Sequence, residues 1–154
     1  MNINFDHLKK SVIQLMGKHK SMVLATSFQD HITARTVSCI FDGLTIKLQT
    51  DLNFIKVKQI EQNKHVALAW NNVQIEGVAT IKGHPFALGN EKFKKTYKEE
   101  FAEYFKMYSS LKDQTVIEIE PQIIVIWKYE NGKSFRDFLS LTEKKAWRLM
   151  CPTE

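Results

Sequence analysis

Little in this chain of 154 residues could staple it together, hold a metal or cross a bilayer. Cysteine is nearly absent: Cys39 and Cys151 are too few for a disulfide framework and have no metal-type spacing, so a reducing, cytoplasmic setting is expected. The five histidines (His7, His19, His31, His65, His84) never fall four apart or beside a cysteine, so no metal site is expected. No run approaches the ~20 apolar residues of a membrane helix, and MNINFDHLKKSVIQLMGK is too polar for a secretory core; no membrane partner is expected. G-x-G-x-x-G, the P-loop, G-x-S-x-G and H-E-x-x-H are all missing, which removes the usual nucleotide and hydrolase fingerprints. Glycine and proline are scarce, six and three.

What is present is a meander of short apolar strands. Strands are expected at Met22–Ser27, Ile32–Phe41, Leu44–Thr50, Val66–Trp70 and Val73–Gly83. Two more follow at Thr115–Ile119 and Ile123–Tyr129, and a last one at Lys133–Phe138 before a polar tail containing Trp147. Asp42-Gly43 and Asn131-Gly132 mark tight hairpins, whose central residues need positive φ. An amphipathic helix is expected over residues 4–16, with Phe5, Leu8, Val12, Leu15 and Met16 on one face. A short helix capped by Asn53 should run to about Asn63, and Glu91–Leu111 carries a helical stripe of Phe93, Tyr97, Phe101, Phe105 and Tyr108. Strand-helix alternation is absent, so a parallel sheet is excluded. The reading is a mainly β protein, a closed or partly closed β-barrel with flanking helices, forming one domain over residues 1–154.

The net charge of +5 favours anionic ligands without choosing among them. Arg35 interrupts an apolar strand, Thr50 ends the next one, and Lys56 opens the short helix six residues later. A hydroxyl and a lysine beside a helix N-terminus form a natural phosphate seat, and a partly desolvated phosphate needs more than one cation. As plain surface chemistry, Arg35 would be a solvated strand residue. Lys92, Lys94, Lys95 and Lys98 read as a solvated helix face rather than a nucleic-acid site, because the aromatics lie on the helix stripe and not on a sheet face. No nucleic-acid partner is expected.

The ordered set "LAT", Arg35-x-Val37, the Asp42-Gly43 hairpin, Thr50-Asp51, Lys56, N-x-x-V-A-L from Asn63 and E-G-x-A from Glu76 resembles the pyridoxamine 5′-phosphate oxidase-like proteins. The likeness covers residues 20–83 well and 115–150 loosely. It implies a split β-barrel of Greek-key, FMN-binding type, a homodimer with the cofactor between subunits, and redox work on a small molecule, with NAD(P)H as a candidate donor. Carried over by position, Arg35, Thr36, Val37 and Ser38 would run along FMN, with Arg35 toward its phosphate. Gln49 and Thr50 would lie beside the cofactor, Lys56 would hold the phosphate, and Asn72 and Trp127 would approach from the partner subunit. Other outcomes the resemblance allows are another flavin, haem (with His84 as a candidate ligand), or a non-catalytic carrier or sensor. Two departures count. Phe54 stands where a serine often joins the phosphate seat, and Arg136-Asp137-Phe138-Leu139-Ser140 keeps only the first arginine of the R-x-H-x-R substrate signature. Pyridoxamine 5′-phosphate oxidation itself is therefore not expected.

Overall fold

A computed structural model describes residues 1–152; the final two residues of the expected domain lie outside it. Eight antiparallel strands form one sheet: β1 (His19–Phe28), β2 (His31–Asp42), β3 (Thr45–Asp51), β4 (His65–Trp70), β5 (Val73–Ile81), β6 (Gln114–Glu130), β7 (Lys133–Ser140) and β8 (Lys145–Met150). Their order is β3-β2-β1-β4-β5-β6-β7-β8, and β3 also pairs with β6. That extra seam closes six strands into a ring, with β7 and β8 extending the sheet beyond it. The helices are α1 (Phe5–Met16), α2 (Ile55–Gln62), α3 (Glu91–Glu100) and α4 (Ala102–Tyr108).

Local chemistry explains the joints. Gln29 and Asp30 both adopt positive φ between β1 and β2, as do Asn131 and Gly132 between β6 and β7, the condition for a tight primed turn. The Asn4 side chain accepts from the His7 N–H at the start of α1, and Gly17 at positive φ ends the helix. From α1, Leu8, Val12 and Met16 enter the main core beside Leu24, Ile46, Leu48, Leu68, Ile75, Ile117 and Ile119 of the ring. Burial of each such side chain contributes about 1.5–3 kcal/mol. Phe93 and Tyr97 of α3 form a second cluster with Ile40 and Val116 on the outside of β2 and β6. Cys39 is fully buried, and burial pushes its thiol up to about 12, so it packs as an inert strand residue.

Four elements differ from the expected layout. The strands foreseen at 115–119 and 123–129 are one strand, because Pro121, opposite Gly77, stands beside a bulge in which Gln122 is the extra residue of β6, a place where a strand accommodates a proline. The polar tail is β8, held by stacking of Trp147 on Phe138 at 5.0 Å. The helix expected over 91–111 breaks at Phe101, whose φ of −132° is not helical. Finally, α2 starts after Phe54 and not Asn53, because the Asn53 amide instead bonds Asp51 Oδ1 at 2.9 Å and Asp113 Oδ2 at 3.2 Å.

The bulge depends on the absence of a side chain. A Cβ on Gly77 would sit 2.9 Å from both Glu120 O and Ile119 Cγ2. Gly77→Ala is expected to destabilise the fold by about 1–3 kcal/mol through overpacking, read as a lower urea midpoint at unchanged slope. An unchanged midpoint would show that β6 can move aside.

Candidate functional site

Strand alternation turns Thr36 and Ser38 of β2, with Gln49 of β3 and Gln114 of β6, to the outside of the ring. There α3 and α4 stand off the sheet and leave a hollow of about 540 Å3. Its sheet wall carries Thr36, Val37, Ser38, Gln49 and Gln114. Its outer wall is Tyr97, Tyr104, Tyr108 and Leu111, and one end is formed by Thr50, Asp51, Phe54 and Lys56. Six of the nine residues named from the sequence therefore line one cavity: Thr36, Val37, Ser38, Gln49, Thr50 and Lys56.

Lys56 is the charged centre of that end. Only 8% of it is exposed, and its Nζ lies 4.7 Å from the centre of the Phe54 ring. Burial lowers its pKa, the charge of Arg35 lowers it further, and Asp51 opposes both. Its charge is thus incompletely neutralised. No side chain caps α2 and its first turn holds no acid, so its leading N–H groups stay available to an anion.

Arg35 takes another direction. It does not line the hollow. Its guanidinium donates to Thr26 Oγ1 (2.8 Å), to Leu24 O (3.3 Å) and to Thr33 Oγ1. Both threonine hydroxyls bond Gln59 Oε1, and Gln59 Nε2 donates to His31 O at 3.0 Å. Arg35 thus ties α2 to the β1–β2 hairpin and sets where Lys56 sits. Gln49 also has less freedom than a pocket amide suggests: its Nε2 donates to Gln114 Oε1 (3.0 Å) and its Oε1 accepts from Ser109 (2.8 Å). Opposite Thr50 in the β3–β6 register lies Thr115, fully buried, whose Oγ1 has no hydrogen-bond partner.

Asn72 and Trp127 lie elsewhere. With Arg136 and Phe138 they border a separate hollow of about 560 Å3 over β4–β7. Asn72 Nδ2 donates to Trp127 O at 2.7 Å, and the Trp127 N–H donates to Asn72 O at 3.0 Å. Within one chain, then, they do not meet the Lys56 hollow. His84 has both ring nitrogens engaged: Nδ1 accepts from the Phe86 N–H (3.0 Å), leaving Nε2 to donate to Leu111 O (2.9 Å). No lone pair of His84 remains for an iron. No cluster of three metal-ligating side chains occurs among the described residues, and no helix of theirs is long and apolar enough to cross a membrane.

The sequence reading missed Tyr97, Tyr104, Tyr108 and Gln114. Tyr97 and Tyr108 fell into the helical stripe and Tyr104 lay off it; spacing separates core-facing from cavity-facing rings only once the break at Phe101 is known. Gln114 sits just before the foreseen strand.

Known structures share this architecture. General stress protein 26 from Bacillus anthracis superposes with a TM-score of 0.68 at 19% identity, over 88% of this chain and 99% of that one. A pyridoxamine 5′-phosphate oxidase-related, FMN-binding protein from Nostoc punctiforme gives 0.59 at 11% identity, over 96% and 92%. This chain has the split β-barrel fold. The haem storage protein HutZ from Vibrio cholerae shares that barrel, with a TM-score of 0.63 at 15% identity over 80% and 95% of the two chains. No family model and no curated relative matches the sequence. The split barrel is thus common to proteins described by flavin and by haem, and the site's own residues have to separate them.

Proposed function

We propose that this split barrel binds FMN as a homodimer and exchanges electrons with a small molecule. The reading rests above all on Lys56, a nearly buried, under-neutralised cation at the uncapped start of α2, opening onto the 540 Å3 hollow. The residues fit a phosphate-bearing flavin. Lys56 and the first N–H groups of α2 take the phosphate, Arg35 holds α2 in place and adds positive potential, and the hollow's volume lies in the ~300–1,000 Å3 range of cofactor sites. Thr36, Val37, Ser38, Gln49 and Thr50 supply the sheet-side wall. A bound flavin would supply electron transfer, and the protein's part is placement, electrostatics and exclusion of water.

Asn72 and Trp127 enter through the second subunit in this reading. The outer faces of β1, β2 and β6 expose Val23, Ile32 and Trp127 at 42%, 72% and 49%, an apolar surface suited to a two-fold contact. FMN-loaded protein is expected to be a dimer by light scattering with one FMN per chain. A monomer that keeps FMN tightly would remove Asn72 and Trp127 from the site. Pyridoxamine 5′-phosphate is not the substrate in this reading, since Arg136 stands without the histidine and second arginine. A haem carrier is the second reading, favoured by the HutZ likeness and opposed by the fully engaged His84 ring. The colour of the loaded protein separates them: yellow for flavin, red-brown for haem.

A further inference from the structure

Three side chains form a relay of hydrogen bonds beside the Lys56 hollow. Ser109, directly after α4, is fully buried, and its Oγ donates to Gln49 Oε1 at 2.8 Å. Gln49 Nε2 then donates to Gln114 Oε1 at 3.0 Å. A hydroxyl can donate or accept and an amide can turn over, so the direction of the relay is set at its closed end. The Ser109 hydroxyl has no other partner among the described residues, and its proton, sealed from water, would be orphaned pointing anywhere else. Ser109 therefore gives its proton to Gln49, and Gln49 turns its NH2 group to Gln114. The NH2 group of Gln114 is left over. Gln114 is 7% exposed and lines the hollow. Among the described residues, Thr115 Oγ1 is the one sealed side-chain polar atom without a partner, so the unpaired Gln114 Nε2 is open to the hollow.

The strand register fixes which end this donor serves. Gln114 stands opposite Asp51, next to the pair Thr50 and Thr115, and the Leu52 N–H donates to Asp113 O at 2.8 Å. The amide thus belongs with Thr50, Asp51 and Lys56. We propose that Gln114 is a further binding residue of this site, its amide N–H donating to the phosphate that Lys56 attracts, with Ser109 the positioning residue that holds the amide that way round through Gln49. The proposal rests on the FMN reading for the ligand and adds to it a donor and the device that aims it. Lys56 brings charge on a flexible stem with rotatable donors, and so little direction. A locked amide brings direction without charge, and it needs no reordering when the ligand arrives. Turned over, it would set its oxygen against the phosphate; the Ser109 proton prevents that.

Fluorescence titration with FMN and riboflavin, which differ by the phosphate alone, tests the assignment. Gln114→Met removes the donor at similar length; it should weaken FMN about ten- to hundredfold and riboflavin less than about threefold, as for a hydrogen bond to a charged group. Gln114→Glu still accepts from Gln49 but turns a carboxylate oxygen into the hollow, and should weaken FMN more than Gln114→Met does. In Ser109→Ala the amides are free to turn over. With the donor facing the hollow in a half to a fifth of the molecules, FMN should bind about two- to fivefold more weakly. Added to Gln114→Met, Ser109→Ala should change nothing further, a non-additivity that a merely structural loss would not produce. Equal losses of FMN and riboflavin in Gln114→Met overturn the phosphate contact, and additive effects of the two substitutions overturn the relay. If the wild type takes up neither flavin, the FMN reading has failed on its own. Phenyl phosphate and phenol then replace the two flavins in calorimetric titrations of the same variants. Weakening of phenyl phosphate alone in Gln114→Met still supports the proposal; no binding of it, or unchanged affinity, overturns it.

Discussion

Lys56→Ala is expected to cost ~2–5 kcal/mol of FMN binding, the range for truncating one partner of a desolvated charge pair. That corresponds to a Kd about 30- to several thousand-fold higher. Riboflavin, which lacks the phosphate, should bind weakly to wild type and variant alike, so the mutation collapses the difference between the two ligands. The pH profile supplies the sign. Burial and Arg35 already lower the Lys56 pKa, so the cation that phosphate needs is lost as pH rises through that lowered value. The phosphate is a dianion throughout that alkaline range, its second pKa being about 6. Wild-type affinity for FMN should therefore fall on the alkaline side, and the fall should vanish in Lys56→Ala. Fluorescence titration of both ligands across pH checks this; equal affinities for FMN and riboflavin in the wild type would remove Lys56 from the phosphate seat.

The second large effect is structural. Asp137 of β7 is 1% exposed, yet it meets two cations: Arg148 through two bonds of 2.6 and 2.9 Å, and Lys128 at 3.1 Å. Burial alone would raise its pKa; the hydrogen bonds from Arg148 and Lys128 outweigh that and hold it below the usual carboxylate range. Asp137→Asn keeps the shape and removes the charge. Because Arg148 and Lys128 still reach water, the loss should be about 2–4 kcal/mol, at or below the usual cost of breaking a buried pair. At this chain length each kcal/mol lowers Tm by about 2–4 °C. A folded pKa below the unfolded value of about 3.9 gives stability that is present above that pH and lost as pH falls through the folded pKa. The gap between wild type and variant should be full at neutral pH and close in acid below about pH 4. A gap that stays constant down to pH 3 would show that the carboxylate's charge is not what the strand depends on.

The sequence carried the ring of strands because its turns and alternation are local signals: Asn131-Gly132, and the inward row Val73, Ile75, Gly77, Ala79; Asp42-Gly43 marked its hairpin one residue early, since Asp42 pairs with Thr45 and only Gly43 of the two has positive φ. The phosphate end was legible for the same reason, since Thr50 and Lys56 stand six residues apart on adjoining elements. Arg35 was legible as a residue and not as a direction. Its partners Thr26 and Thr33, and the Gln59 that both of them bond, come from three elements, and only their packing decides that the guanidinium supports α2. The tyrosine wall was hidden by the break at Phe101, which no glycine or proline announces. Asp137 was passed over because it was compared with a substrate signature, whereas its partners Lys128 and Arg148 reach it across two strand pairings.

The seam between β3 and β6 also governs how the chain reaches this structure. Most of the other pairings join strands that follow one another and can form as soon as each hairpin is made. The seam instead joins groups 65 to 75 residues apart, as in Gln49 with Gln114 and Thr45 with Glu120. Loop entropy must be lost before that contact returns anything, and such long-range pairing slows folding. Ring closure is thus the late step of folding. Until it occurs, β3 and the first half of β6 remain open edges able to pair with another chain. The two sides of the ligand hollow, Gln49 and Gln114, are joined only by that step, so a chain that has not closed its ring has no site to fill.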